Sequence, residues 1–205
     1  MMPAFSATSA FETDDVLVHW GVTPIFHYDP LGRLILTEQP DGSTVRVTFS
    51  PWEQSSYDAN DTVLDAGNAW YARASTSSDP AVVRAATLAA ADANTPAATI
   101  FDTLGRPYVA IADNGTRGTY ETKTTLDIEG NPLAVTDALG RPCLTSAYSM
   151  LGQVCQSTSI DAGQRWAIVD VLGAPLRGWN GRGFAVRTVH DVLRRPTQVF
   201  VQGPT

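Results

Sequence analysis

The 205-residue chain is 43% hydrophobic but only 17% charged, with a formal net charge of −7. That balance excludes extended disorder over most of the chain and argues against a nucleic-acid binder, which needs a basic face to neutralise phosphates. No apolar run approaches the ~20 residues of a membrane-spanning helix, and no conventional signal peptide is expected from Met1 to Ala10, which has neither a basic n-region nor an apolar h-region.

Residues 1–24 form a poorly defined N-terminal segment. From 25 to 56 the first hairpins are expected. Tyr28-Asp29-Pro30-Leu31-Gly32-Arg33 and Pro40-Asp41-Gly42-Ser43 read as turns, and Val45, Val47 and Phe49 alternate with Arg46 and Thr48 at the period of a strand. A helical insert is expected over 57–96. Asp79-Pro80 supplies an N-cap and a proline at the first helical position, Val82, Val83, Ala86 and Ala90 form an apolar stripe, and Asn94 with Pro96 ends it. The spacing predicts a helix at about 80–93. A second, shorter helix is expected near 61–72, capped by Asn60 or Asp61 and weakened by Gly67. The insert is expected to pack on one face or end of the sheet and to cover an edge that would otherwise invite pairing.

The stretch 97–205 is dominated by an internal repeat. Phe101-Asp102-Thr103-Leu104-Gly105-Arg106 and Thr136-Asp137-Ala138-Leu139-Gly140-Arg141 echo the hexad at Tyr28. Looser copies begin at Leu126, Tyr148, Val169 and His190. The Asp or Ser side chain can cap backbone N–H groups further along the turn. The two middle residues suit a type I turn, and Gly then supplies the left-handed conformation of a G1 bulge. Asp113-Asn114-Gly115, Asp161-Ala162-Gly163 and Asn180-Gly181 mark further turns between the hexads. Successive turns fall about 11 residues apart, leaving strands of ordinary length. Two strands make a repeat of 21 residues, as from Ser149 to Asp170 and from Asp170 to Asp191. The connections are too short for parallel crossovers, so the expected fold is mainly β, an antiparallel meander of hairpins.

Few residues invite chemistry. No catalytic, cofactor-binding or metal-ligating residue is assigned, and no cofactor is expected. The chain has no Gly-x-Ser-x-Gly elbow, His-Glu-x-x-His helix, Cys-x-x-Cys pair or phosphate-binding loop. His19, His27 and His190 are scattered. Asp29/Arg33, Asp102/Arg106 and Asp137/Arg141 read as cross-turn ion pairs rather than acid–base pairs, because a residue repeated at each turn serves the repeat. Asp58, Asn60 and Asp61 offer oxygens for Ca²⁺ but read better as a capping turn. Trp52, Trp70, Trp166 and Trp179 read as core packing, with a sugar-binding face as the competing use. Cys143 and Cys155 read as half-buried free thiols, and a bridge between them is left open.

The Tyr-Asp-x-x-Gly-Arg hexads at a period near 21 resemble the YD repeats of RHS proteins. Leu36 to Ser43, Phe49-Ser50-Pro51-Trp52, Tyr57 to Val63, Ala93-Asn94-Thr95-Pro96 and Leu126 to Asn131 resemble the RHS part of insecticidal toxin-complex B components. The resemblance covers roughly 25–203. It implies a curved meander sheet with a small helical insert around 60–93, and the role of a wall segment in a shell that encloses a toxin cargo. It also implies partners: the remainder of the RHS shell, the C-terminal toxin, and a pore-forming translocation subunit. Secretion as part of a toxin complex, no catalysis, no nucleic acid and no membrane span are the matching expectations. The chain is far shorter than a complete shell and lacks the self-cleaving segment and variable end of such proteins, so a fragment of a larger protein is expected. The alternative is a YD-repeat module that binds carbohydrate or mediates surface adhesion.

Overall fold

A computed structural model of the chain describes residues 23–204. Met1 to Ala10, His19 and nearly all of the N-terminal segment 1–24 lie outside the described residues. Backbone contacts divide the chain into two units, one of residues 23–105 with Ala110–Tyr120, the other of Arg106–Val109 with 121–204. The first unit contains β1 (Ile25–Tyr28), β2 (Leu34–Glu38), β3 (Thr44–Phe49), β4 (Glu53–Tyr57), helices α1 (Ala69–Ala74) and α2 (Pro80–Ala91), and β5 (Ala97–Phe101). Strands β6 (Pro107–Asp113) and β7 (Thr119–Leu126) contribute to both units. The second unit holds β8 (Pro132–Thr136), β9 (Pro142–Tyr148), β10 (Val154–Ser159) and β11 (Gly163–Val169). It continues with β12 (Pro175–Asn180), β13 (Ala185–His190) and β14 (Pro196–Gln202). The strands follow chain order in an antiparallel 14-stranded sheet, as the hairpin spacing predicts.

The hexad forms the hairpins by a specific division of labour. At the first copy, the N–H of Gly32 donates to the carbonyl of Asp29 and the N–H of Asp29 to the carbonyl of Arg33, each at 2.9 Å. The Asp29 carboxylate accepts from the N–H groups of Leu31 and Arg33, also at 2.9 Å. It therefore caps two and four residues on. Gly32 takes φ +78°, and the register shifts between His27 and Tyr28, the mark of a bulge. The turn at Asn180 follows the same plan one residue beyond the Asn-Gly step. Asn180 Oδ1 accepts from Arg182 and Phe184, and Gly183, not Gly181, holds the positive φ. Trp179 to Phe184 is thus a full copy with Asn in place of Asp.

The helical insert lies between β4 and β5, which nonetheless pair directly, Glu53 opposite Ile100. Helix α2 spans Pro80–Ala91 with Asp79 accepting from the N–H of Ala81, and Asn94 at φ +58° closes the segment. The first helix starts later than the 61–72 expectation. Residues 59–67 are turns, Gly67 stands at φ +90°, and Asn68, not Asn60 or Asp61, caps α1 by accepting from Tyr71. Nor does the insert cover a sheet edge. It docks on the β2–β3 turn: Trp70 donates from its backbone to the carbonyl of Gly42 at 3.2 Å, Arg73 to the carbonyl of Asp41, and Thr62 Oγ1 to that of Thr44 at 2.5 Å. Among the described residues the buried apolar side chains are Val63, Ala74, Ala86 and Val109. Three of these belong to the insert. The strands beyond it leave apolar side chains open on both faces, as Val199, Phe200 and Val201 do in β14, and among the described residues no second layer covers the strands of the second unit.

Candidate functional site

The repeated turn concentrates most of the organised polar chemistry. In Asp29, backbone donation from Arg33 holds the carboxyl below its ordinary range, helped by the Arg33 and Leu31 donors against some burial. The Asn131 side chain does the same for Asp127, the Arg141 side chain for Asp137, and backbone donation from Arg195 for Asp191. At Asp170 burial pushes upward, but the N–H groups of Ala174 and Leu172 and the charges of Arg194 and His190 outweigh it. The predicted cross-turn ion pairs form at Arg33–Asp29 and Arg141–Asp137, both 2.6 Å, and recur at Arg195–Asp191 at 2.7 Å. Each carboxylate is engaged by donors of its own turn, and Asp170 also by Arg194 of another hexad, which suits a corner and not proton transfer.

Sequence reasoning missed the bonds that tie one turn to the next. Arg106 Nη1 donates to the carbonyls of Asp127 and Ile128 at 3.1 and 3.2 Å. Gln153 reaches the carbonyl of Asp170 at 3.2 Å, and Arg194 the Asp170 carboxylate at 2.5 Å. The residue at the end of one hexad, or at its glycine place, thus holds the Asp at the second place of a neighbouring hexad. No fixed spacing announces these bonds, which span 21, 17 and 24 residues.

The other singled-out residues are placed apart. His27 Nε2 lies 2.7 Å from Glu38 Oε1 across β1 and β2, both side chains exposed, while His190 ends β13. Asp58 accepts from the N–H groups of Asn60 and Asp61. Asp61 accepts from Asp58 and from both the backbone and hydroxyl of Thr95, so it clasps the two ends of the insert together. These oxygens are committed to capping. Cys143 and Cys155 are both free, near opposite ends of the β9–β10 hairpin. Cys155 sits in a bulge donating to the carbonyl of Ala147. The four residues from Cys143 to Ala147 correspond to about 13 Å of strand, beyond the reach of a disulfide. The tryptophans are not core. Trp52 is exposed at the β3–β4 turn, Trp166 is 40% exposed in β11, and Trp70 and Trp179 are half-buried.

Arginine guanidinium groups approach aromatic rings in both units. The guanidinium of Arg33 is 4.3 Å from the Phe49 ring centre and that of Arg46 is 4.2 Å from Tyr57. In the second unit Arg177 lies 5.8 Å from Trp179 and Arg187 4.9 Å from Phe200. Beside these last two pairs a cavity of about 490 Å³ opens on the sheet surface.

No protein-family model matches the chain, and no curated protein matches it by sequence. Solved structures do. The chain is similar to the Photorhabdus luminescens Tc holotoxin pore carrying a TccC3 mutation, at TM-score 0.72 and 24% identity. It is similar to the TcdB2-TccC3-Cdc42 crystal structure at 0.72 and 23%, and to TcdB2-TccC3 at 0.70 and 23%. In each case 88% of this chain aligns, but it spans only 8% of the other. The likeness carries the fold: this chain is built as a short stretch of the hairpin sheet in those Tc toxin structures, as its resemblance to RHS repeats implied.

Proposed function

We propose that the chain is a structural wall segment of an RHS-type shell that encloses a toxin cargo in a secreted bacterial toxin complex, and that it is not a catalytic unit. The observation that carries this reading is the pairing of a regular hairpin sheet with faces that, among the described residues, no second layer covers. Trp166 and Ile168 in β11 are 40% and 50% exposed, and Val154, Leu176 and Val186 are open in neighbouring strands. A sheet needs another layer over its apolar face to be a stable domain, and contiguous exposed apolar surface marks a place of contact. The likeness to TcdB2-TccC3 structures supports the same role, with the remainder of the shell, its C-terminal toxin and a pore-forming subunit as partners.

The test is to express the open reading frame that contains this segment and to treat the product with a broad-specificity protease. A shell keeps its C-terminal cargo intact until the wall is denatured, and electron microscopy shows a hollow particle. A C-terminus digested at the same rate as a free peptide, in a solid or extended particle, would defeat the proposal.

A further inference from the structure

Register places Arg177 of β12 directly opposite Arg187 of β13, so the two guanidinium groups share one face of the sheet. Like charges in that position oppose strand pairing, and both residues are exposed. Elsewhere the arginines of such turns and strands meet carboxylates, as Arg33 meets Asp29 and Arg46 approaches Asp65 at 3.6 Å. Among the described residues neither Arg177 nor Arg187 has an ion-pair partner. Each instead approaches an aromatic ring, Arg177 at 5.8 Å from the Trp179 ring centre and Arg187 at 4.9 Å from that of Phe200. The cavity of about 490 Å³ beside them is lined by these four residues together with Ala185, Gln202 and the neighbouring valines, and no Asp or Glu lines it. The same face continues into β11, where Trp166 stands opposite Trp179.

We propose that this tray binds an extended acidic peptide segment, two carboxylates of which each meet one guanidinium while its apolar atoms lie on Trp179 and Phe200. Paired planar forks suit carboxylates, and an aromatic ring beside each guanidinium offers it a cation–π contact. The open, shallow shape fits a segment of chain better than an enclosed small molecule. Nucleic acid is the poorer match, because the chain carries a net charge of −7 and only this pair of cations lines the cavity. The inference rests on the face itself and is independent of the shell role.

The experiment uses the full 205-residue chain and two fluorescein-labelled peptides, octaglutamate and octaglutamine, followed by fluorescence polarisation. Saturable binding of octaglutamate, weakened by salt and absent with octaglutamine, is expected. Arg177→Gln with Arg187→Gln weakens it about tenfold or more, while Arg165→Gln, on the opposite face of β11, leaves it unchanged. Arg187→Lys keeps the charge but loses the fork and falls between. The urea midpoint of the double variant is unchanged or higher, since it removes a like-charge pair. Equal binding of both peptides, an equal loss with Arg165→Gln, or displacement by inorganic phosphate or a neutral oligosaccharide at the same concentration as by unlabelled octaglutamate would each overturn the proposal. The two-peptide comparison on the unmodified chain decides the matter even if a variant fails to fold.

Discussion

Gly32 and Gly42 occupy the same left-handed region, at φ +78° and +83°, yet they answer to different constraints. A Cβ on Gly32 would meet nothing within 4 Å, whereas one on Gly42 would stand 2.9 Å from the Cβ of Ala69 and 3.2 Å from the backbone nitrogen of Trp70. Gly32→Ala therefore costs about 1 kcal/mol of left-handed strain. Gly42→Ala costs about 3 kcal/mol, because it adds a clash with the insert to the same strain. Urea unfolding of the two variants in parallel checks the difference, and equal losses would show that the insert does not rest on Gly42. Arg194 offers the reverse case. It holds φ +63° at the glycine position of its hexad, the one conformation there that a side chain resists. Its ion pair with Asp170 is partly exposed and contributes little. Arg194→Gly should raise stability by up to about 1 kcal/mol, read as a higher urea midpoint.

At the scale of elements, the insert is held at its mouth. Asp61 is nearly buried and receives the N–H groups of Asp58 and Thr95, which lie on either side of both helices. Asp61→Ala leaves those donors unpaired beside a buried pocket, a loss of about 3 kcal/mol. Faster amide exchange over α1 and α2 than over β8–β14 would show that the loss is local. How much of this was legible follows from which interactions are short in sequence. The hairpins were readable because Asp, two right-handed residues and Gly each answer a requirement inside six residues. Helix α2 was readable because Asp79 and Pro80 are adjacent to it. The start of α1 was not, since docking on Gly42 fixes it from far away in sequence and Asn60 and Asp61 offered caps ahead of the apolar residues Val63 and Leu64. The Arg177–Arg187 tray was equally hidden, because only strand register brings those two residues face to face. The tryptophans misled because alternation along a strand implies a second layer that these strands lack.

The turn carboxylates also set a property of the whole molecule. Asp29, Asp127, Asp137, Asp170 and Asp191 are distributed over both units, and each titrates below its ordinary value near 3.8. A depressed folded-state value means that the stabilisation is complete above the unfolded value and is lost as pH falls through the folded one. The urea midpoint should be flat from pH 7 to about 5 and decline below about 4, within and beneath the normal carboxylate range. Asn180 shows that an amide oxygen serves the same backbone donors at 3.0 and 3.1 Å. Asp127→Asn should therefore fold at pH 7 and lose part of the acid-limb slope; an unaltered slope would place the titrating groups elsewhere.

The remaining whole-molecule consequence lies at the last strand. β14 pairs with β13 on one side, and among the described residues no strand pairs on the other. Its seven residues are all exposed, Val199 and Val201 at 61% and 66%, and Pro196–Gln202 contains no charged residue. A long edge with unpaired N–H and C=O groups, β-favouring side chains and no charge is a template for another strand. The isolated chain should accordingly associate with rising concentration, seen as a concentration-dependent shift in sedimentation velocity. Val199→Lys with Val201→Lys places two charges on one face of that edge, the face turned away from Arg187 and Phe200. The double variant should sediment as a monomer across the same range. If it associates as strongly as the unmodified chain, contact runs through the open sheet faces and not through this edge.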